Sequence, residues 1–499
     1  MSYILRNGFI QDVIATDPIP SIAGAGAYFD GAKPSQSEDT GDPSWTDSSN
    51  VGTIATQTTM ANYPVRDAAN REWEFSGNQY FDLDQKVFLS RSGFRLFFTI
   101  DRTAAADDIV VGVQDAAASS GTNGGLIVQL RAANVLLSVI GGAGPNFNTT
   151  ALGTGVMSVE INYDGAGNWE IFKDGVSEQT VVTAAIDGIF FDRVGFADTF
   201  TGDNFDGSIK AIVVYNGQDA GDISTIRTTL NSKFIATSLG ADVPYQSFTV
   251  TNIDGAYLMG DSQCLGREAT TSVTAASAPN AFLSSPITGG LIFNTTSQVF
   301  ETYQAGTSQS GETSGDFGTE ASFIERNLNA SFGNKEEFFV LKSALGSSTI
   351  GDSVVQGQRW NKTADTLYAT FLRQHLIATQ WLKENHYNPT VTGMVELVGT
   401  NDAADNTDAT NYQSNITTFN SDVRTDFGLA NLPIITFTIL TETFASTVNT
   451  GMTNAAAADA NMTYSTATVG STLPDGVHYS ADDLMRIGRD YYDNWFASL

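Results

Sequence analysis

The sequence predicts a multidomain chain, a β-sandwich followed by a three-layer α/β/α domain with a parallel sheet, and two rhythms along its 499 residues predict it. Up to about residue 240, short apolar and polar alternations are broken by Gly, Asn, Asp and Ser roughly every 8–12 residues, the pattern of sandwich strands. Beyond about residue 250, strand-length apolar runs alternate with amphipathic helical stretches, the mark of a layered α/β fold. The chain is also too long for one ordinary core, and its 41% hydrophobic content, with 31 Phe and 16 Tyr, can fill more than one.

In the first half, Met157, Val159, Ile161 and Tyr163 alternate with Ser158, Glu160, Asn162 and Asp164, a half-buried strand. The turn DGAGN (164–168) follows, and Trp169 and Ile171 open a strand that ends at KDG (173–175). Ile209, Ala211, Val213 and Tyr215 repeat the alternation. A short helix comes next, with Asp222 as expected N-cap and Ile223, Ile226, Leu230 and Phe234 on one face. Residues 239–252 read as a linker. In the second half the strand candidates are AYLMG (256–260), FFVLKSA (338–344), MVELVG (394–399) and IITFTIL (434–440). Their near-continuous apolar character suits a parallel sheet buried on both faces. Helices are expected at about 319–331, 363–385, 411–426 and 481–497. Ser480 caps the last one, Asp483 stands at its N3 position, and Leu484, Ile487, Tyr491 and Trp495 face inward.

Composition narrows the partners. The net charge of −30 reflects 25 basic against 55 acidic residues, a surface that repels phosphate backbones and speaks against nucleic acid. The single cysteine, Cys264, excludes an intramolecular disulfide and a multi-Cys metal site, and three histidines (His375, His386, His478) leave little for a zinc centre. No cofactor is called for, and no metal ligand set can be named. The head MSYILRNGFIQDV lacks an apolar signal core, and no run reaches membrane-spanning length. The expectation is cytoplasmic synthesis without a signal peptide or membrane insertion.

Three strings carry chemistry: GDSQ (260–263), GTND (399–402) and DGVH (475–478). A serine hydroxyl needs a base, and the base needs a third group to fix its tautomer. Ser262 follows a strand directly, so it should lie at the strand's carboxyl end, where open α/β sheets bind ligands. His478 stands three residues after Asp475 in a loop leading into the last helix, so both can point at the same edge. The serine string is not GxSxG, which removes the α/β-hydrolase elbow as a template.

With these blocks in this order, residues 250–499 resemble the SGNH (GDSL-like) hydrolases, and the string GDSQCLGR (260–267) and the helix FGTEASFIER (317–326) are similar to their carbohydrate O-acetylesterase branch. The resemblance implies Ser262 as nucleophile, His478 as base and then acid, and Asp475 as the orienting carboxylate. It implies an oxyanion hole from the N–H groups of Ser262 and Gly346 and the Asn401 amide, Gly346 being the best block-II candidate in LKSALGSSTI. The Gln at 263 leaves the subfamily open, and the Ser/Thr/Gly-rich stretch at about 266–315 is a candidate cleft former. Asp261 and Asp402 read as acceptors shaping their turns, His375 and His386 as structural, Cys264 as a small buried residue. Arg267 is equally a substrate contact or an ordinary ion pair.

Residues 26–238 resemble the concanavalin A-like (laminin-G-like) jelly rolls through WEIFKDG (169–175), VGFADTF (194–200) and FDGSIKAIVVYNG (205–217). Such domains bind glycans or act as spacers; Trp45, Trp73 and Trp169 are either sugar platforms or core. The implied division is an N-terminal attachment segment (1–25), a sandwich (26–238), a linker (239–252) and a hydrolase domain (253–499). Together they imply an esterase removing O-acyl, chiefly O-acetyl, groups from a polysaccharide. The implied setting is a phage tail fibre or other virion surface, with tail proteins as partners and a trimeric state. A catalytically silent glycan-binding adhesin and a bacterial esterase of other esters are the alternatives.

Overall fold

The computed structural model describes residues 72–76, 79–103, 108–113, 125–131, 152–183, 189–195, 205–235, 249–274, 283–308, 315–329, 331–351, 358–363 and 367–499, with isolated strands at 4–6, 9–11, 25–30, 44–46, 54–56, 65–67, 135–139 and 146–147. The chain divides into two compact units, residues 1–250 and residues 251–499, with the short segment Lys383–His386 grouped with the first.

The first unit is a β-sandwich: the described residues form two eight-stranded sheets. In one of them β1 (Phe94–Arg102) pairs antiparallel with β2 (Gly155–Tyr163) and with β4 (Gly207–Tyr215), and β3 (Asn168–Lys173) pairs with β2. The alternation in β2 is as expected on one side: Met157, Val159, Ile161 and Tyr163 join a core that also takes Leu83, Val111, Val128 and Phe191 from the other sheet. Trp73 and Trp169 are in that core too, so both are packing residues. Trp45 falls outside the residues whose side chains are described, as does all of the 1–25 head.

The opposite face of that sheet is covered over its central strands. Helix α1 (Ala220–Leu230) and the π turn after it lay Ile223, Ile226, Leu230 and Phe234 on Phe97, Ala211, Val213 and Tyr215. Its N-cap is Asp219, not Asp222: the Asp219 carboxylate accepts from the Gly221 and Asp222 N–H groups. Asp222, one turn in, instead accepts from the Tyr215 hydroxyl at 2.7 Å. Glu160, on the covered face, accepts from the Arg227 guanidinium at 2.7 Å.

The second unit is a three-layer α/β/α domain. Its strands are β5 (Thr251–Gly260), β6 (Gly290–Asn294), β7 (Val299–Thr302), β8 (Phe338–Ala344), β9 (Tyr387–Leu397), β10 (Ile434–Phe437) and β11 (Met462–Ser465), in spatial order β7-β6-β8-β5-β9-β10-β11. Neighbours run parallel except β6 and β7, which form an antiparallel hairpin, so the sheet is mixed and not wholly parallel. The short loop between β6 and β7 lets the edge be closed locally, without a helical crossover. β5 begins at Thr251, inside the stretch 239–252 expected as a linker, of which 239–248 lie outside the described residues.

Helices α3 (Glu320–Leu328) and α7 (Ala481–Asn494) cover one face, packing Phe323, Ile324, Leu484, Ile487, Tyr491 and the following Trp495 on Leu258, Val340 and Val395. On the other face α4 (Leu367–Glu384) brings Phe371 to Tyr257, and α5 (Asn406–Asp426) follows the GTND loop. Ser480 caps α7, accepting from the Asp483 N–H at 3.3 Å. Between β5 and β6 lies the four-residue helix α2 (Ser262–Leu265), and α6 (Ala445–Ala458) precedes β11.

Candidate active site

Three loops leave β5, β9 and β11 at the carboxyl edge of this sheet, and they carry the three strings. β5 ends at Gly260, pressed against the β9 backbone: a Cβ there would lie 2.0 Å from the Leu397 carbonyl oxygen, an approach only glycine allows. The Asp261 N–H donates to that carbonyl at 3.0 Å, and the Asp261 carboxylate caps α2 by accepting from the Gln263 N–H at 2.9 Å. Ser262 is thereby fixed as the first residue of α2, 8% exposed.

Asp475 and His478 come from the loop between β11 and α7. Asp475 Oδ1 accepts from the N–H groups of Val477 at 2.9 Å and His478 at 2.7 Å, which curls the loop back on itself. Asp475 Oδ2 lies 2.6 Å from His478 Nδ1, and His478 Nε2 lies 2.9 Å from Ser262 Oγ. A carboxylate facing Nδ1 places the proton there, and Nε2 is left to accept from the serine hydroxyl. Burial acts to raise the Asp475 carboxyl; the backbone N–H of His478, its imidazole and the Val477 N–H outweigh it and hold the group well below the usual carboxylate range.

Gly346 and Asn401 flank this chain of contacts. The loop after β8 is anchored by the Leu345 N–H donating to the Gly260 carbonyl at 3.0 Å. A Cβ on Gly346 would lie 3.8 Å from Ser262 Cβ, so the glycine borders Ser262. The Asn401 amide donates one of its two N–H groups to the Ser348 carbonyl at 3.1 Å. The five residues drawn from the strings and from the 346 loop thus converge on one rim.

Two buried carboxylates hold the loops together, a wider role than shaping their own turns. Asp261 Oδ2 accepts from the Thr400 N–H at 3.1 Å, tying the Ser262 turn to GTND. Asp402 accepts from the N–H groups of Ile350 at 3.1 Å and Gly351 at 2.8 Å, tying GTND to the 346 loop. Burial, opposed by those bonds, pushes Asp261 up to about 6 and Asp402 up to about 7. Lys342, inside an apolar strand, supports the same turn from below. Its ammonium donates to the Leu265 carbonyl at 2.8 Å and pairs with Glu320 at 2.9 Å, both side chains almost fully buried.

Cys264 and the other two histidines fall away from the site. Cys264 is fully buried in the core and burial pushes its thiol up to about 12, which leaves no thiolate at neutral pH. His375 is buried on α4 against the Tyr257 hydroxyl, stacked on Phe427, and His386 sits in the turn after α4. Arg267 is exposed. The described residues include no group of three or more His, Cys, Asp and Glu side chains able to hold a metal ion. Sequence reasoning missed the bridging reach of Asp261 and Asp402, the Lys342–Glu320 pair and the contacts of Gln263. The acidic positions inside GDS and GTND were the visible signal for the first; nothing in the string pairs Lys342 with Glu320.

Residues 290–497 match the family model described as carbohydrate esterase, sialic acid-specific acetylesterase. The chain is a carboxylic ester hydrolase. The matched stretch takes in Gly346, Asn401, Asp475 and His478, and begins after Ser262. No curated protein matches the chain. Among solved structures, a protein from Arabidopsis thaliana is 16% identical with a TM-score of 0.40, covering 50% of this chain and 98% of its own. The binding domain of botulinum neurotoxin serotype D is 12% identical with a TM-score of 0.29, covering 41% of this chain and 50% of its own. A Trypanosoma rangeli sialidase in complex with a difluoro-KDN ligand is 12% identical with a TM-score of 0.30, covering 43% of this chain and 34% of its own. The chain thus spans half or less of the toxin domain and of the sialidase.

Proposed function

We propose that this esterase removes O-acetyl groups from a polysaccharide, with Ser262 as nucleophile, His478 as acid–base and Asp475 as the carboxylate that orients the imidazole. Ser262 Oγ attacks the ester carbonyl while His478 Nε2 takes its proton. The oxyanion is held by the N–H groups of Ser262 and Gly346 and by the second N–H of the Asn401 amide, donors of a kind worth roughly 3–4 kcal/mol each. His478 then protonates the departing sugar alkoxide, and the acyl group stays on Ser262 until His478 activates a water against it.

The observation that carries this reading is the unbroken path from carboxylate to imidazole to hydroxyl, at 2.6 and 2.9 Å. A protein that only binds glycan has no use for it. The test is acetate release from p-nitrophenyl acetate and from acetylated polysaccharide. Wild type turns over both, and folded Ser262→Ala turns over neither beyond background; equal turnover by the variant removes the mechanism.

For the first unit and the setting, the proposal is that the sandwich holds the glycan whose esters are cleaved, on a phage tail fibre or other virion surface. What supports it is the union of a sandwich with an esterase domain in one chain. Glycan-array binding by the full chain, its mass in solution against the trimer, and peptides of this chain in purified virions are the measurements. A stable monomer absent from virions and silent on the array would leave only the esterase.

A further inference from the structure

Gln263 stands between the nucleophile and the core, 4% exposed, and its carboxamide reaches across 214 positions of chain. We propose that Gln263 is a positioning residue that sets the distance between Ser262 and His478. The inference rests on the catalytic reading given above. Gln263 Nε2 donates to the Val477 carbonyl at 2.6 Å, and Gln263 Oε1 accepts from the Tyr479 N–H at 3.4 Å. One side chain therefore grips the backbone on both sides of the base, and it belongs to the residue next to the nucleophile. Its own backbone N–H is held by Asp261, so the grip starts from a fixed point.

The other hydrogen bonds of the base loop do not do this. The Asp475 bonds go to Val477 and His478, so they give the loop its shape without locating it. The Ser480 N–H donates to the Thr472 carbonyl and Asp483 accepts from the Thr472 N–H, which fastens the loop to its own helix. The contact between His478 Nε2 and Ser262 Oγ is itself broken in every turnover, once the imidazole has taken the proton. The Gln263 bonds make no proton transfer and persist through the cycle. Both a donor and an acceptor are needed, at the length of a glutamine: Leu and Met offer neither, and Asn is one methylene too short to reach both.

The experiment uses the full chain and p-nitrophenyl acetate, with wild type, Gln263→Met, Gln263→Asn and Ser262→Ala, and with histidine 15N-labelled in the imidazole. Rates are normalised to the folded fraction. Gln263→Met keeps the volume and loses both bonds, and its kcat falls by about 10²-fold at nearly unchanged KM, the cost of a misplaced catalytic group. In the same variant the His478 ring keeps its Nδ1–H tautomer, because Asp475 and His478 share one loop. Should the Met variant not fold, Gln263→Asn shows the same kcat-only loss. The inference is overturned by kcat within about twofold of wild type, by a loss that disappears on normalisation, or by loss of the tautomer, each of which makes Gln263 dispensable or merely structural. Inactive Ser262→Ala beside fully active Gln263 variants would sink this inference alone; active Ser262→Ala would sink the catalytic reading beneath it.

Discussion

Asp475 and His478 are three positions apart, and that spacing lets one loop supply both the imidazole and the group that fixes its tautomer. Replacing the carboxylate by an amide keeps the shape but allows the imidazole to flip its proton. Asp475→Asn should therefore lower kcat by on the order of 10³–10⁴-fold with little change in KM, measured by steady-state hydrolysis of p-nitrophenyl acetate. At this scale the sequence was most legible. Ser262, Asn401, Asp475 and His478 stand in short strings whose residue types the chemistry dictates. Gln263 and Lys342 were opaque, since their roles depend on partners 214 and 22 positions away that no local pattern announces.

Elements were legible where one face or one run dominates. The strand at 338–344 ends where its apolar run ends, and α7 keeps its cap and its inward stripe. Helix α6 was missed because it buries little beyond Val448, Gly451, Met452 and Ala455, an Ala- and Thr-rich surface with no strong stripe. The β6–β7 hairpin was missed because it hides in a Ser/Thr/Gly-rich stretch, and the antiparallel edge it adds could not be read from apolar runs alone. Two outcomes belong to this scale. Ser480→Ala should cost about 1 kcal/mol in urea unfolding through the lost cap. Lys342→Met should cost about 3–5 kcal/mol, since it leaves Glu320 buried without its counter-ion beneath the Ser262 turn.

For the whole molecule, the two units have separate cores, which is the physical content of the change in rhythm seen near residue 250. The second unit also stores an acid-side preference. Burial pushes Glu396 up to about 8 against the pull of Arg424, alongside Asp261 at about 6 and Asp402 at about 7. Groups raised in this way hold protons in the folded state after the unfolded chain has released them. Their contribution is therefore most favourable at acidic pH and is lost as pH rises from about 4 to 8. Glu396→Gln removes the largest of these shifts: it should match wild type near pH 4 and exceed it above pH 8 by up to about 3–5 kcal/mol, followed by urea unfolding across that range. A variant no more stable than wild type at pH 9 would remove Glu396 as the source.

The measurement that reaches the core of the account is peptide mapping after treatment with a fluorophosphonate, which traps a serine only when a neighbouring base activates it. A single adduct on Ser262, absent from Ser262→Ala and strongly slowed in His478→Ala, is the predicted result. An unlabelled Ser262 in folded, ester-cleaving protein, or an adduct on another residue, would contradict it.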